Sequence, residues 1–222
     1  MDMAWLGFFY LMRPGEYTKS SDNKPLLFQD IMLAIGGHVL AVPTCAIPQL
    51  HLATRSSVEF DDQKKRERGE VIAHGISGHT EACPTRALAR RLAYLRSTSA
   101  APTTPLCGYK KGNRWHYVSS AQITALLRRA ATANPAYGIL PANISARSLR
   151  AGGAMALLCG KVDTDTIKLV GRWRSDAMFR YLHAQAIPIV RNLASTMLNH
   201  GVFSLTPGAS EPIQAHAMLG QD

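Results

Sequence analysis

Arg147 and Arg150 stand three residues apart, so a helix through them puts both guanidinium groups on one face, and the same helix then carries Gly152 and Gly153 in its interior. Each interior glycine costs about 1 kcal/mol against alanine. Some other requirement must compensate, and room for the close approach of another backbone would do so. Arg13 follows the apolar run 4–11 and precedes Glu16 by three residues. Further on, Gly171-Arg172-Trp173-Arg174 leads to a short helix, capped by Ser175 or Asp176, that carries Tyr181 beside Arg180. Fixed guanidinium forks suit the paired oxygens of a phosphate. A tyrosine oxygen in their field ionises more easily and can act as a nucleophile. Each group also has an ordinary structural reading: Arg13 and Glu16 as a helix-end pair, Tyr181 as a half-buried core tyrosine.

These groups need elements to hold them. Residues 4–11 are apolar on nearly every side and run into Arg13-Pro14-Gly15, which predicts a buried helix stopped by proline and glycine. The runs 26–33, 39–42, 57–61 and 69–74 are short and β-like, broken by Gly36-Gly37 and by the charged stretch 63–68, and they predict a small antiparallel sheet. Residues 43–55 show no period and stay unassigned. Pro84 opens a helix in which Leu88, Arg91, Leu92 and Leu95 keep helical spacing. Residues 101–105 form a loop, and Ser119-Ser120 cap a helix running through Ile123, Leu126 and Leu127 to about Thr132. Ser145 is expected to cap a helix containing Ser148, Leu149, Ala154, Leu157 and Leu158, with shorter helices over 163–170, 175–183 and 190–198. The expected fold is α+β, mainly helical, with one small antiparallel sheet, in one domain over 1–200 followed by a flexible tail over 201–222.

Together these segments resemble the tyrosine recombinase (phage integrase) family, especially the integrase-like proteins of eukaryotic mobile elements, over residues 5–200. Arg13 and Glu16 match that family's Arg-x-x-Glu motif on an apolar helix. Arg150 matches the arginine of its His-x-x-Arg motif, with Arg147 in the histidine position. Gly171 to Tyr181 has the family's ten-residue spacing from a glycine to the nucleophilic tyrosine, and Tyr181-Leu182-His183 fits the family's habit. By count Arg172 occupies the slot where the family has His or Trp, and Trp173 is displaced by one, so the supporting role falls to either. Lys64 matches the catalytic lysine of a β-hairpin, with Lys65 the alternative.

The resemblance implies a recombinase catalytic domain without the N-terminal clamp domain, working as a tetramer on double-stranded DNA. In that reading Arg13 and Arg150 clamp the non-bridging oxygens of a phosphodiester, and Tyr181 attacks the phosphorus to leave a covalent phosphotyrosine. Lys64 protonates the departing 5′ oxygen. No metal or other cofactor is required. The departure at Arg147 matters chemically, because a guanidinium donates hydrogen bonds but cannot accept a proton near neutral pH. Two rival readings follow: a DNA-binding protein of recombinase descent that no longer cleaves, and a type IB topoisomerase-like enzyme.

Composition points the same way. Lys and Arg number 25 against 15 Asp and Glu, giving a net +10 and a pI near 9.8, which favours a polyanionic partner. Cys45, Cys83, Cys107 and Cys159 form no C-x-x-C pair, so neither a zinc cluster nor a disulfide framework is indicated. Carboxylates and histidines show no ligand spacing, which argues against a two-metal nuclease. The apolar start lacks a basic leader and a cleavage site and is too short to span a bilayer. The expectation is therefore an intracellular protein without membrane contact, nuclear in a eukaryote. His74 and His79 read as surface histidines of a loop, and Arg86, Arg90, Arg91, Arg96 and the pair Arg128-Arg129 as solvated helix faces.

Overall fold

The computed structural model describes residues 1–60, 69–175 and 178–179. Lys64, Lys65, Arg180, Tyr181 and the tail 201–222 lie outside the described residues, as do the helix expected over 190–198 and, apart from residues 175, 178 and 179, the one expected over 175–183. The described residues form a mixed α and β structure with seven α-helices, a four-stranded antiparallel sheet and a separate two-stranded hairpin. In chain order the helices are α1 (Asp2–Phe9), α2 (Pro14–Tyr17), α3 (Ile47–His51), α4 (Pro84–Ser97), α5 (Ser120–Ala133), α6 (Ser148–Cys159) and α7 (Thr164–Gly171). The strands are β1 (Ile31–Ile35), β2 (His38–Val39), β3 (Arg55–Phe60), β4 (Glu70–Gly75), β5 (Gly108–Lys111) and β6 (Arg114–Tyr117).

Helix α1 is apolar on all sides because it lies between other elements: α4 packs on it from one direction and α6 from another. On α4, Leu88, Leu92 and Leu95 are fully buried, as their 3.6-residue spacing requires. The sheet order is β2-β1-β3-β4. Strand alternation turns Ile31, Leu33, Ser56, Val58 and Phe60 to the core. Gly36 and Gly37, both at positive φ, make the tight turn from β1 to β2. The Tyr10 hydroxyl lies 2.8 Å from Ser56 Oγ, which lies 2.9 Å from Thr85 Oγ1, so one buried hydroxyl chain joins α1, β3 and α4. Burial pushes the Tyr10 phenol well above its ordinary pKa, which keeps it a neutral hydrogen-bonding group.

Several expectations are corrected. Residues 26–30 are not strand: the Asp30 carboxylate accepts from the Leu27 N–H at 2.7 Å and winds Phe28–Asp30 into a 3₁₀ turn. Helix α3 sits in the stretch left unassigned, too short to show a period. The hairpin β5–β6 was not anticipated, although Gly112-Asn113 between aromatic-rich runs is a hairpin signal. The caps of α5 and α7 are side-chain bonds, Gln122 N–H to Ser119 Oγ at 3.2 Å and Thr166 N–H to Asp163 Oδ1 at 2.8 Å. Ser145 does not cap α6; the Ser148 hydroxyl accepts from the Ser145 N–H at 3.1 Å.

Three of the four arginines of α4 are cross-links rather than a solvated face. Arg90 pairs with Asp2 at 2.6 Å, Arg91 donates to the carbonyls of Leu106 and Gly108, and Arg96 donates to the Cys45 carbonyl. Arg128 likewise holds the loop before α6 through the carbonyls of Ile144 and Ala142. His74 lies within β4, half-buried with its ring edge-on to Tyr10 at 4.7 Å; the loop histidine is His79, whose Nδ1 accepts from the Glu81 and Ala82 N–H groups.

Apolar side chains gather in two clusters. The larger fills the space between α1, α4 and the sheet. The smaller joins the end of α1 to α6 and α7 through Leu11, Ala154, Ile167 and Met178, with Leu157, Val170 and Trp173 packed against it.

Candidate functional site

The smaller cluster decides where Arg13 and Arg150 stand. Helix α1 ends with Leu11 in the left-handed region at φ 47°, its N–H on the Phe8 carbonyl and the Met12 N–H on the Gly7 carbonyl. That reversal delivers Arg13 as the extended residue that opens α2. Glu16, three residues on, accepts from the Arg13 N–H at 2.6 Å and from its Nη1 at 3.2 Å. Tyr17 is fully buried and donates its hydroxyl proton to the Ala146 carbonyl at 2.8 Å, which fastens α2 beside Arg147. Burial holds that phenol well above its ordinary pKa, so it remains a donor.

Helix α6 meets α1 at backbone distance. A Cβ on Gly153 would lie 2.3 Å from the Phe8 carbonyl oxygen and 2.4 Å from Leu11 Cδ2, whereas one on Gly152 would meet only Phe8 Cε2 at 3.8 Å. Gly153 is therefore the residue that the contact requires. One turn earlier, Arg150 is buried at 5% exposure and donates through Nη2 to the Gly171 carbonyl. Its guanidinium carbon lies 4.3 Å from the centre of the Trp173 ring. The same ring folds back over Gly171, where a Cβ would fall 1.7 Å from Trp173 Cζ3. The glycine before the tryptophan is thus a steric requirement of the stack on Arg150.

Arg13, Arg147, Arg150 and Trp173 line one pocket of about 400 Å³ together with Pro14 and Gly15. Arg13 is 59% exposed and Arg147 is exposed, while Arg150 forms the buried floor. The described lining residues include three guanidinium groups and no carboxylate. Such a pocket suits an anion with several oxygens, fixed by Arg150 and met by two solvent-facing forks.

Arg172 points elsewhere. It takes the left-handed position that ends α7, at φ 57°, and is buried at 8% exposure. Its Nη2 lies 2.7 Å from Glu16 Oε2, its Nη1 donates to the Tyr10 carbonyl at 3.1 Å, and its guanidinium carbon lies 3.6 Å from the Phe60 ring centre. Burial lowers its pKa and Glu16 opposes that shift. Of the two candidates for the supporting slot, Trp173 lines the pocket and Arg172 braces Glu16 from behind. The Tyr17 bond and the bracing role of Arg172 carried no sequence signal, because both partners lie more than a hundred residues away.

No helix among the described residues is long and apolar enough to cross a membrane. Comparison with protein-family models, with curated proteins and with solved structures returns no match for the chain.

Proposed function

We propose that the chain binds the phosphodiester backbone of double-stranded DNA in the arginine pocket and cuts and rejoins strands there, as the catalytic domain of a tyrosine recombinase. The observation that carries this reading is the convergence of Arg13, Arg147, Arg150 and Trp173 on one pocket from three separate segments of the chain. Arg150, held by Gly171 and Trp173, and Arg13, held by Glu16, take the two non-bridging oxygens and stabilise the charge that grows on them in the transition state. Tyr181 attacks the phosphorus, its oxygen forming the new P–O bond as the bond to the 5′ oxygen breaks, and Lys64 gives its proton to that oxygen. The product is a 3′-phosphotyrosine, and attack by a 5′ hydroxyl reverses the step. The phenolic proton goes to solvent, because Arg147 cannot accept it. The chain's own residues supply each of these roles without a metal, and paired sites would be served by a tetramer.

A suicide duplex, nicked so that the 5′ fragment escapes, traps the intermediate. The expected result is a denaturation-resistant protein–DNA adduct that maps to Tyr181 and is lost in Tyr181→Phe. An adduct that persists in that variant defeats the assignment of the nucleophile. One observation favours a second reading: the described lining residues include no imidazole or carboxylate to accept the phenolic proton. In that reading the chain binds DNA without cleaving it, and the folded wild type yields binding but no adduct. Relaxation of a plain supercoiled plasmid without strand exchange between paired sites would instead indicate a topoisomerase.

A further inference from the structure

The hairpin β5–β6 has two unlike faces. Cross-strand partners share a face, so Lys110 and Trp115 stand with Tyr117 on one side, and the pairs Tyr109–His116 and Lys111–Arg114 stand on the other. The first face is turned to the body of the molecule: Trp115 packs on the main core and Lys110 Nζ lies 5.5 Å from its ring centre. On the second face the Tyr109 and His116 rings are stacked, 5.7 Å between centres and 27° apart. Beyond them, at the turn, Lys111 and Arg114 face each other directly, both exposed and neither in an ion pair with a described residue.

Like charges directly opposite each other destabilise a hairpin, and no ion pair among the described residues relieves this one. From residue 82 to residue 162 the sequence contains no acidic residue and 12 lysines and arginines, whereas the rest of the chain carries 13 against 15 acids. The whole positive excess thus resides in the span from α4 through α6. A fold that opposes two cations beside an aromatic stack, neither of them paired with a carboxylate among the described residues, is arranged for an anion from outside. The stack gives that anion a surface for sugar or base, which suits a nucleic acid better than an acidic peptide.

We infer that the outer face of β5–β6 is a second grip on the DNA, separate from the arginine pocket, with Lys111 and Arg114 on backbone phosphates and Tyr109–His116 against the sugar or base beside them. The identity of the polymer rests on the proposed function; the charge argument does not. The hairpin also joins the segment that leads from the pocket. The Lys19 N–H donates to the Val118 carbonyl at 2.9 Å, just past β6 and just past α2, which Arg13 opens. One duplex could therefore engage Arg13 at one end of that segment and the hairpin at the other.

The test uses the full chain and a fluorescent duplex, with binding followed by anisotropy over a series of KCl concentrations. Each phosphate contact contributes about 0.9 to the slope of log K against log salt, so Lys111→Gln with Arg114→Gln should flatten the slope by about 1.8 and weaken binding roughly 50-fold at 0.1 M salt. Melting should show the double variant at least as stable as wild type, since a repulsion is removed, and Lys111→Gln with Arg114→Lys should recover part of the slope. Unchanged affinity and slope in the double variant overturn the inference, as does a wild type that does not bind the duplex. A variant that loses affinity for poly-glutamate while keeping its duplex slope also overturns it, in favour of an acidic protein partner. A hairpin-dependent slope without a Tyr181 adduct removes strand cleavage and leaves this grip intact. An adduct with a hairpin-independent slope does the reverse.

Discussion

Glu16 lies 2.7 Å from the buried guanidinium of Arg172, and its other carboxylate oxygen meets Arg13. A single acid therefore separates two arginines of different duty, one inside the fold and one at the pocket. Through Arg172 Nη1 on the Tyr10 carbonyl, the same link fixes the end of α1 to the end of α7.

Breaking that link should be costly, because the surviving charge stays buried. Glu16→Gln and Arg172→Ala should each destabilise the fold by about 3 kcal/mol, read as a shift of the urea midpoint. Wild-type midpoints in both variants would mean that the pair holds nothing in place.

Arg150→Ala should slow adduct formation by roughly 10² to 10³, the usual loss for one donor to a developing oxyanion. Arg150→Lys should fail to rescue it, since an ammonium cannot both lie flat on Trp173 and reach the Gly171 carbonyl. Near-normal cleavage in Arg150→Ala would show that the clamp is misplaced. Arg147→His should preserve or raise the rate; a loss of folding instead would assign Arg147 a structural partner.

Gly152 and Gly153 should respond in opposite directions. Gly153→Ala forces α6 off the Phe8 carbonyl and should destabilise by about 2 kcal/mol, in the range of overpacked cores. Gly152→Ala has room and should stabilise by about 1 kcal/mol through helix propensity. Equal effects in chemical denaturation would refute the close contact between α1 and α6.

His74 should make stability fall on the acid side. Burial among Phe9 and Tyr10 lowers its pKa from the ordinary 6.5 against an opposing hydrogen bond with the Phe9 backbone, so the unfolded chain binds the proton more readily. Its contribution is complete above pH 6.5 and is lost as pH falls below that value. Melting temperature should decline on acidification through this range in wild type and less steeply in His74→Phe; identical profiles would exclude His74 as the source.

Lys161 is exposed and holds φ 62° where α6 ends, with its N–H on the Leu158 carbonyl and the Val162 N–H on the Leu157 carbonyl. Glycine takes that conformation without strain, so Lys161→Gly should stabilise by about 1 kcal/mol. A lower urea midpoint would show that the lysine makes a contribution of its own there.

Periodicity made α4, α5 and α7 legible, and the three-residue spacing put Arg147 and Arg150 on one side of α6. What it could not resolve was a one-residue choice. Arg172 and Trp173 adjoin in sequence, and the left-handed turn at Arg172 sends one inward to Glu16 and the other to the pocket. Which of two interior glycines was needed was equally hidden, because that depends on where Phe8 lies. The hairpin is a different case: Gly112-Asn113 and the acid-free span around it were both visible in the residues. Lys64 and Tyr181 lie outside the described residues, and their roles rest on the resemblance.

The bonds from Arg172 to Tyr10 and Glu16 close a loop of more than 150 residues. The pocket beside them cannot exist in a partly folded chain, since Arg13 and Arg150 meet only when both segments have docked. On the proposed function, a phosphate seated there would act as a non-covalent clasp between the two segments. Ligand concentration should then set apparent stability by mass action, and the melting temperature itself becomes a gauge of occupancy.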